Sequence, residues 1–275
     1  MKNTGYLAAA VFAALEAGAA ALEVYEQDFD VEEKSDHSPL TLADRRAHEI
    51  ISSALGHLEI PVLSEEGRDI AYAERKNWQQ LWIVDPLDGT KEFVKKNGEF
   101  TINIALAEGG RPVLGVVFVP VKDMLYFAAE NTGSFFAEGK DIRGRQENIS
   151  AADLARAAVR LPVADSSKRP YTIMGSRSHA SPELEAFVQE KKKQYPDLEF
   201  ISAGSSLKFC LVAEGRADLY PRTGPTMEWD TAAGQAVVEQ AGGAVLEFET
   251  SRPLRYNKED LVNPWFIVHR EGSRI

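Results

Sequence analysis

The chain has 275 residues, 44% hydrophobic and 27% charged, an ordinary globular composition with material for one large core or two smaller ones. Its 42 acidic against 31 basic side chains give a formal net charge of -11, which argues against charge-driven binding to nucleic-acid polymers or membranes. An anionic substrate must then be held by local cations, either Lys and Arg gathered in a pocket or bound metal.

The Ala-rich stretch Tyr6 to Gln27 reads as an amphipathic helix. It carries Glu16 and lacks the basic flank and cleavage pattern of a signal peptide, so neither cleavage nor a transmembrane span is expected. A polar linker, Val31 to Ser38, leads to a second helix over Thr41 to Leu58, set off by Ser38-Pro39-Leu40. From Ile60 the pattern changes to short apolar runs: Pro61 to Leu63, Leu81 to Val84, Thr101 to Ala107, Val113 to Val119 and Met124 to Ala129. These predict a largely antiparallel sheet, with a hairpin turn at Glu108-Gly109-Gly110-Arg111-Pro112. Beyond Ala157, strands at Tyr171 to Met174 and Leu198 to Ile201 alternate with helices near Pro182 to Lys193, Ser205 to Glu214 and Thr231 to Gln240. The expected division is an N-terminal α+β metal-binding region, residues 1–155, and a C-terminal α/β substrate-binding region, residues 156–275. The stretch Arg143 to Arg169 suggests no purpose. The single cysteine, Cys210, rules out an internal disulfide and suits a reducing, cytoplasmic setting. It lies in the apolar run Leu207 to Ala213, where a buried structural thiol is expected rather than a nucleophile.

Four acidic segments carry candidate chemistry. Trp82-Ile83-Val84-Asp85-Pro86-Leu87-Asp88-Gly89-Thr90 is an apolar strand ending in two carboxylates and a turn; Asp85, Asp88 and the Leu87 carbonyl are oxygen ligands of the kind hard cations take. An isolated Asp-Gly-Thr would be an ordinary turn, and the strand that launches it is what makes a metal site the better reading. Pro61-Val62-Leu63-Ser64-Glu65-Glu66 is a second short strand ending in acids, one of which would complete the site. Asp230, before the small-residue helix Thr231 to Gln240, looks like an N-cap that is also free to bind metal. Three acidic ends from distant sequence suit a multi-metal phosphoryl-transfer site. Asp44 is placed to accept a proton from an attacking water, directly or through the Thr90 hydroxyl; it is equally a first-turn acid favourable to its helix dipole.

In order and spacing, Lys34 to Asp44, Ser64-Glu65-Glu66, Asp85 to Thr90 and Trp229-Asp230-Thr231-Ala232-Ala233 resemble the inositol monophosphatase superfamily of Mg²⁺-dependent, lithium-sensitive phosphatases. The similarity runs over nearly the whole chain. Asp88-Gly89-Thr90-Lys91-Glu92-Phe93, Asn97 to Ala105, Gly204 to Cys210 and Ala217 to Arg222 look like its CysQ-type branch, the 3′(2′),5′-bisphosphate nucleotidases. The resemblance implies a layered αβαβα sandwich and two or three Mg²⁺ ions. It implies metal ligation by Glu65, Asp85, the carbonyl of Leu87, Asp88 and Asp230, and water activation by Asp44 and Thr90, with Glu65 taking part in catalysis. Lys34 matches a loop near the catalytic site. In-line attack by water, with no phosphoenzyme, and inhibition by lithium are also implied.

The substrate pocket is expected from Asp88, Gly89, Thr90, His179, Gly204, Ser205, Lys208, Arg222 and Asp230, with the Gly175-Ser176-Arg177-Ser178-His179 and Gly204-Ser205-Ser206-Leu207-Lys208 loops offering N–H groups, hydroxyls and cations to a second phosphate. Each loop alone is common, and Lys208 and Arg222 could equally be a solvated helix charge and a salt-bridge partner. Glu228 adds an acid near the substrate side. The expected substrate is 3′-phosphoadenosine 5′-phosphate, with its phosphosulfate counterpart as an extension, in sulfur metabolism. An inositol or sugar-phosphate phosphatase and a non-catalytic phospholigand-binding regulator are the competing readings. Peripheral attachment to the inner membrane and a homodimer are both left open.

Overall fold

Five layers stack in the order helix, sheet, helix, sheet, helix in the computed structural model, which describes residues 3–27, 31–33, 39–67, 69–145, 149–176 and 181–273. The outer layer holds α1 (Asn3–Tyr25) and α2 (Leu42–Gly56), joined through a two-stranded ribbon of β1 (Val31–Glu33) and β2 (Pro39–Thr41). The larger sheet then runs β3 (Val62–Ser64), β4 (Gln80–Asp88), β5 (Thr101–Glu108), β6 (Arg111–Val119), β7 (Met124–Ala129), β8 (Gly133–Glu138) and β9 (Val159–Arg160), neighbours in that order. Only the β3–β4 pair is parallel. Between its strands lie the short helices α3 (Tyr72–Arg75), α4 (Thr90–Val94), α5 (Gly139–Arg143) and α6 (Ala151–Arg156).

The smaller sheet is built from β10 (Thr172–Ser176), β11 (Glu199–Ala203), β12 (Leu219–Arg222), β13 (Ala244–Glu247) and β14 (Phe266–His269), in the order β11-β10-β12-β14-β13. Its helices are α7 (Pro182–Gln194), α8 (Leu207–Ala213) and α9 (Ala232–Gln240). Alternation along β4 and β5 explains the layering. Trp82, Val84, Ile102 and Ile104 face α1 and α2, while Leu81, Ile83, Ala105 and Ala107 face α8 and α9. Both faces are buried, so the middles of these strands are apolar on both sides, and each large side chain withdrawn from water contributes about 2 kcal/mol. On the far side of the smaller sheet, Ile173, Leu219 and Ile267 pack against Leu184 and Val188 of α7. Helix α9 sits so close to β6 that a Cβ at Gly115 would stand 2.4 Å from the Ala233 carbonyl oxygen.

Two expectations need correction. Helix α1 is long and apolar enough, by length and composition, to cross a membrane, so Glu16 does not interrupt it. Glu16 lies on the exposed stripe while Leu7, Val11, Ala14 and Leu15 are buried against the sheet; α1 serves here as a core helix. The stretch 143–169 also gains a purpose. Through β9 it extends the larger sheet, and the N–H groups of Val163 and Ala164 donate to the Glu214 carbonyl at the end of α8 (3.1 and 2.9 Å).

Candidate active site

Residues three apart in a regular strand face opposite sides of the sheet, which would separate Asp85 from Asp88. A bulge prevents this: Asp85 stands opposite Asn103 and Asp88 opposite Thr101, so three steps of β4 match two of β5. Pro86, with no N–H for the ladder, occupies the bulge, and the Leu87 N–H donates to Asp85 Oδ1 at 3.0 Å. Both acids therefore line one cleft of about 270 Å³, together with Glu65, Leu87, Thr90 and Asp230.

The parallel pairing of β3 with β4 delivers Glu65, whose N–H donates to the Val84 carbonyl at 3.1 Å. Asp230 comes from a 3₁₀ turn, Glu228–Asp230, and its Oδ2 accepts the Met227 N–H at 2.8 Å. It is not the N-cap of α9; Thr231 holds that position, and the Asp230 carboxylate closes the turn behind it instead. Burial, then the charges of Glu65, Asp88 and Asp230, hold the Asp85 carboxyl well above the usual carboxylate range. Asp230 is pushed up to about 8 by burial and then Asp88, with Glu65 adding and the Met227 N–H and Arg222 opposing. These acids are near enough to disfavour one another's ionisation. Yet among the described residues no three His, Cys, Asp or Glu side chains close into a finished metal cage. The donors stand around the cleft instead. Hydrogen bonds occupy one oxygen of each acid, Asp85 Oδ1, Asp88 Oδ2 and Asp230 Oδ2, and leave its second oxygen without one among the described residues. An all-oxygen, mutually repelling donor set fits a hard divalent cation.

Asp44 is the third residue of α2 and forms a capping box with Thr41, accepting the Thr41 N–H and hydroxyl on Oδ2 (2.8 and 2.6 Å). Its Oδ1 accepts the Thr90 hydroxyl at 3.3 Å. Asp44 is 1% exposed and does not line the cleft, whereas Thr90 does, so Asp44 meets the cleft through Thr90. Gly89, just before α4, has φ +90°, and a Cβ there would stand 2.0 Å from Ser205 Oγ.

Lys208 and Arg222, both buried, also line the cleft. Lys208 is not a solvated helix charge: its Nζ donates to the carbonyls of Ser205 (2.5 Å) and Ala203 (3.3 Å). Burial lowers its pKa to about 8, with Arg222 adding to the drop and Asp88, Glu92 and Glu99 opposing it. Arg222 donates from Nη2 to the Pro225 carbonyl at 3.0 Å, its Nε has no hydrogen-bond partner, and it forms no ion pair among the described residues. Two loop groups are differently engaged than expected. The Gly204 N–H donates to Glu99 Oε2 at 2.8 Å, and the Ser205 hydroxyl to the Asp88 carbonyl at 2.8 Å, although both residues line the cleft. Glu228 is not on the substrate side. It is fully buried, ion-paired to Lys258 Nζ at 2.7 Å, and accepts the N–H groups of Asn257 and Lys258. Lys34 and His179 lie outside the described residues.

Sequence reading missed the group behind Asp88. Its Oδ2 accepts the Ser206 N–H (2.6 Å) and hydroxyl (2.9 Å), and Thr101 Oγ1 and Asn103 Nδ2 at 3.3 Å each. The available signal was Thr-Ile-Asn-Ile in β5: two polar residues on one face of an otherwise apolar strand.

Layers, bulge and acid-lined cleft together define an αβαβα protein that gathers oxygen donors where two sheets meet. The chain belongs to the inositol monophosphatase family, whose sequence model matches residues 2–269. It is similar to the 3′(2′),5′-bisphosphate nucleotidase CysQ of Escherichia coli O6:H1, 46% identical over 257 residues that cover 92% of this chain and 94% of that one. The crystal structure of CysQ from Bacteroides thetaiotaomicron, 51% identical, matches with a TM-score of 0.87 over 95% of this chain and 96% of that one. An inositol monophosphatase from Thermotoga maritima shares the fold, with a TM-score of 0.70 at 23% identity, covering 94% and 89% of the two chains.

Proposed function

We propose that the protein is a Mg²⁺-dependent 3′(2′),5′-bisphosphate nucleotidase that hydrolyses 3′-phosphoadenosine 5′-phosphate to AMP and phosphate. The observation that carries the reading is one cleft lined both by Glu65, Asp85, Asp88, Asp230 and the Asp44-backed Thr90 and by Lys208 and Arg222. Similarity to CysQ nucleotidases over nearly the full length supports the nucleotide substrate.

Two or three Mg²⁺ ions, held by Glu65, Asp85, the Leu87 carbonyl, Asp88 and Asp230, would supply Lewis-acid polarisation of the phosphate and neutralise its charge. The chain's own groups handle the proton and the orientation. As water attacks phosphorus, its proton passes to Thr90 Oγ1 while the Thr90 proton moves to Asp44 Oδ1; the ester P–O bond breaks and the departing ribose oxygen takes a proton from solvent. Lys208, still largely cationic at neutral pH, and Arg222 hold the second phosphate, which resolves how so acidic a chain retains a dianionic group. The free, buried thiol of Cys210 fits placement of this reaction in the cytoplasm.

Phosphate release from the purified protein tests the reading, measured with 3′-phosphoadenosine 5′-phosphate, inositol 1-phosphate and fructose 1,6-bisphosphate, each with Mg²⁺ and with EDTA. The bisphosphate nucleotide should show the highest kcat/KM, with activity lost in EDTA. Preference for inositol 1-phosphate would move the substrate to the sugar-phosphate class. Tight ligand binding without turnover would make the protein a phospholigand sensor.

A further inference from the structure

Ser206 joins three segments that are remote in sequence. Its N–H and hydroxyl reach Asp88 Oδ2 at the end of β4, at 2.6 and 2.9 Å. The same hydroxyl is 2.8 Å from the Asp230 carbonyl oxygen and accepts Asn103 Nδ2, from β5, at 3.0 Å. A serine hydroxyl has one proton, so it donates to Asp88 or to the Asp230 carbonyl at any moment, while the N–H bond to Asp88 persists. With Thr101 and Asn103 also on Oδ2, that oxygen is saturated and the carboxylate cannot turn. Its Oδ1 is the oxygen left for a ligand. Ser206 and Asn103 are each 1% exposed, so water does not readily replace either partner.

We propose that Ser206, supported by Asn103, is a positioning residue that sets the cation affinity of the cleft by fixing Asp88 relative to Asp230 across the join between the two sheets. The proposal rests on the metal-site reading above. It assigns a task to a residue that the sequence patterns marked only as part of a substrate loop. Ser206 lines the cleft as well, so direct contact with substrate is the competing role, and the two differ in what they change. A positioning group alters metal binding in the absence of nucleotide; a substrate contact alters nucleotide KM at saturating metal.

The test uses full-length protein stripped of metal and titrated with Mg²⁺, following melting temperature, for wild type, Ser206→Ala, Ser206→Thr and Asn103→Ala. Ser206→Ala should raise the half-saturating Mg²⁺ concentration by about 10–100-fold, the usual range for groups that orient metal ligands. Ser206→Thr, which keeps the hydroxyl, should restore most of it. Asn103→Ala should move the midpoint in the same direction, and the double variant should fall short of additivity because the two act through one bond network. At saturating Mg²⁺ the nucleotide KM of Ser206→Ala should stay within about twofold of wild type. An unchanged midpoint in both Ser206→Ala and Asn103→Ala overturns the proposal. So does a raised KM with an unchanged midpoint, which makes Ser206 a substrate contact. Should Ser206→Ala not fold, Asn103→Ala decides by its midpoint alone. A wild-type protein that ignores Mg²⁺ removes both the proposal and the metal reading. One that binds Mg²⁺ but releases no phosphate from the nucleotide removes the activity reading alone, and the midpoints still decide this one.

Discussion

The two walls of the cleft are made differently. On the acid wall, a strand carries the functional side chains directly, and one bulge is enough to turn Asp85 and Asp88 to the same side. On the basic side, the Gly204–Lys208 loop gives most of its polar groups to the protein itself: the Gly204 N–H to Glu99, the Ser205 hydroxyl and Ser206 to Asp88, and Lys208 Nζ to two carbonyls. The loop therefore braces the acids, and the charges left for a ligand are chiefly those of Lys208 and of Arg222 at the end of β12. The carboxylates and the phosphate-facing cations thus come from different elements, so loss of an acid should register as lost rate and loss of Arg222 as lost affinity for the nucleotide.

Asp88→Asn is the severest way to probe this division. Removing a carboxylate charge where several acids converge should lower kcat/KM by about 10³-fold, roughly 4 kcal/mol of transition-state stabilisation, as read in steady-state kinetics with varied Mg²⁺. Thr90→Ala removes the hydroxyl that links the cleft to Asp44 and should lower kcat by about 10²-fold with KM little changed, whereas Thr90→Ser should retain most activity. Arg222→Ala should spare kcat and raise KM for the bisphosphate nucleotide by about tenfold, with a smaller effect on a substrate bearing one phosphate. Equal losses in kcat from Arg222→Ala and Thr90→Ala would erase the distinction between the walls.

The smallest effect lies away from the cleft, where the Tyr126 hydroxyl donates to buried Glu214 and ties the larger sheet to α8. Burial raises the Glu214 pKa above 4.5, against the opposing influence of Tyr126 and Arg216. The folded protein therefore keeps a proton that the unfolded chain has released, so this stabilising contribution is full below the ordinary Glu value and declines as pH rises through the raised one. Glu214→Gln keeps an acceptor for Tyr126 and should flatten that decline, a change of about 1 kcal/mol or less in denaturant melts between pH 5 and 8.

Much of the acid wall was legible because strands ending in Asp or Glu leave a local signature. Glu65, Asp85 and Asp88 could each be found from an apolar run and the turn that follows it. Their convergence was not legible locally, since it depends on the parallel β3–β4 pairing and on the bulge. Asp230 was placed correctly at the start of a helix but given the wrong hydrogen bond, because a short 3₁₀ turn and an N-cap share the same residue types. Glu228 was misread because its burial and its partner, Lys258, are decided by tertiary packing and leave no periodic trace; the loop carbonyls that separate a buried Lys208 from a solvated helix charge are equally invisible in the sequence. The middle strands of the larger sheet were readable from apolar runs. Short elements such as β9, β12 and α3 were not, being too brief for any period to show.

Helix α1 has one more consequence, which concerns the order of synthesis. It leaves the ribosome before the strands that cover it, and its apolar face has no sheet to rest on until β4, β5 and β6 have followed. For that interval the nascent chain displays a segment with the length and composition of a membrane span. Until collapse onto the sheet covers it, that face is open to contact with other unfinished chains.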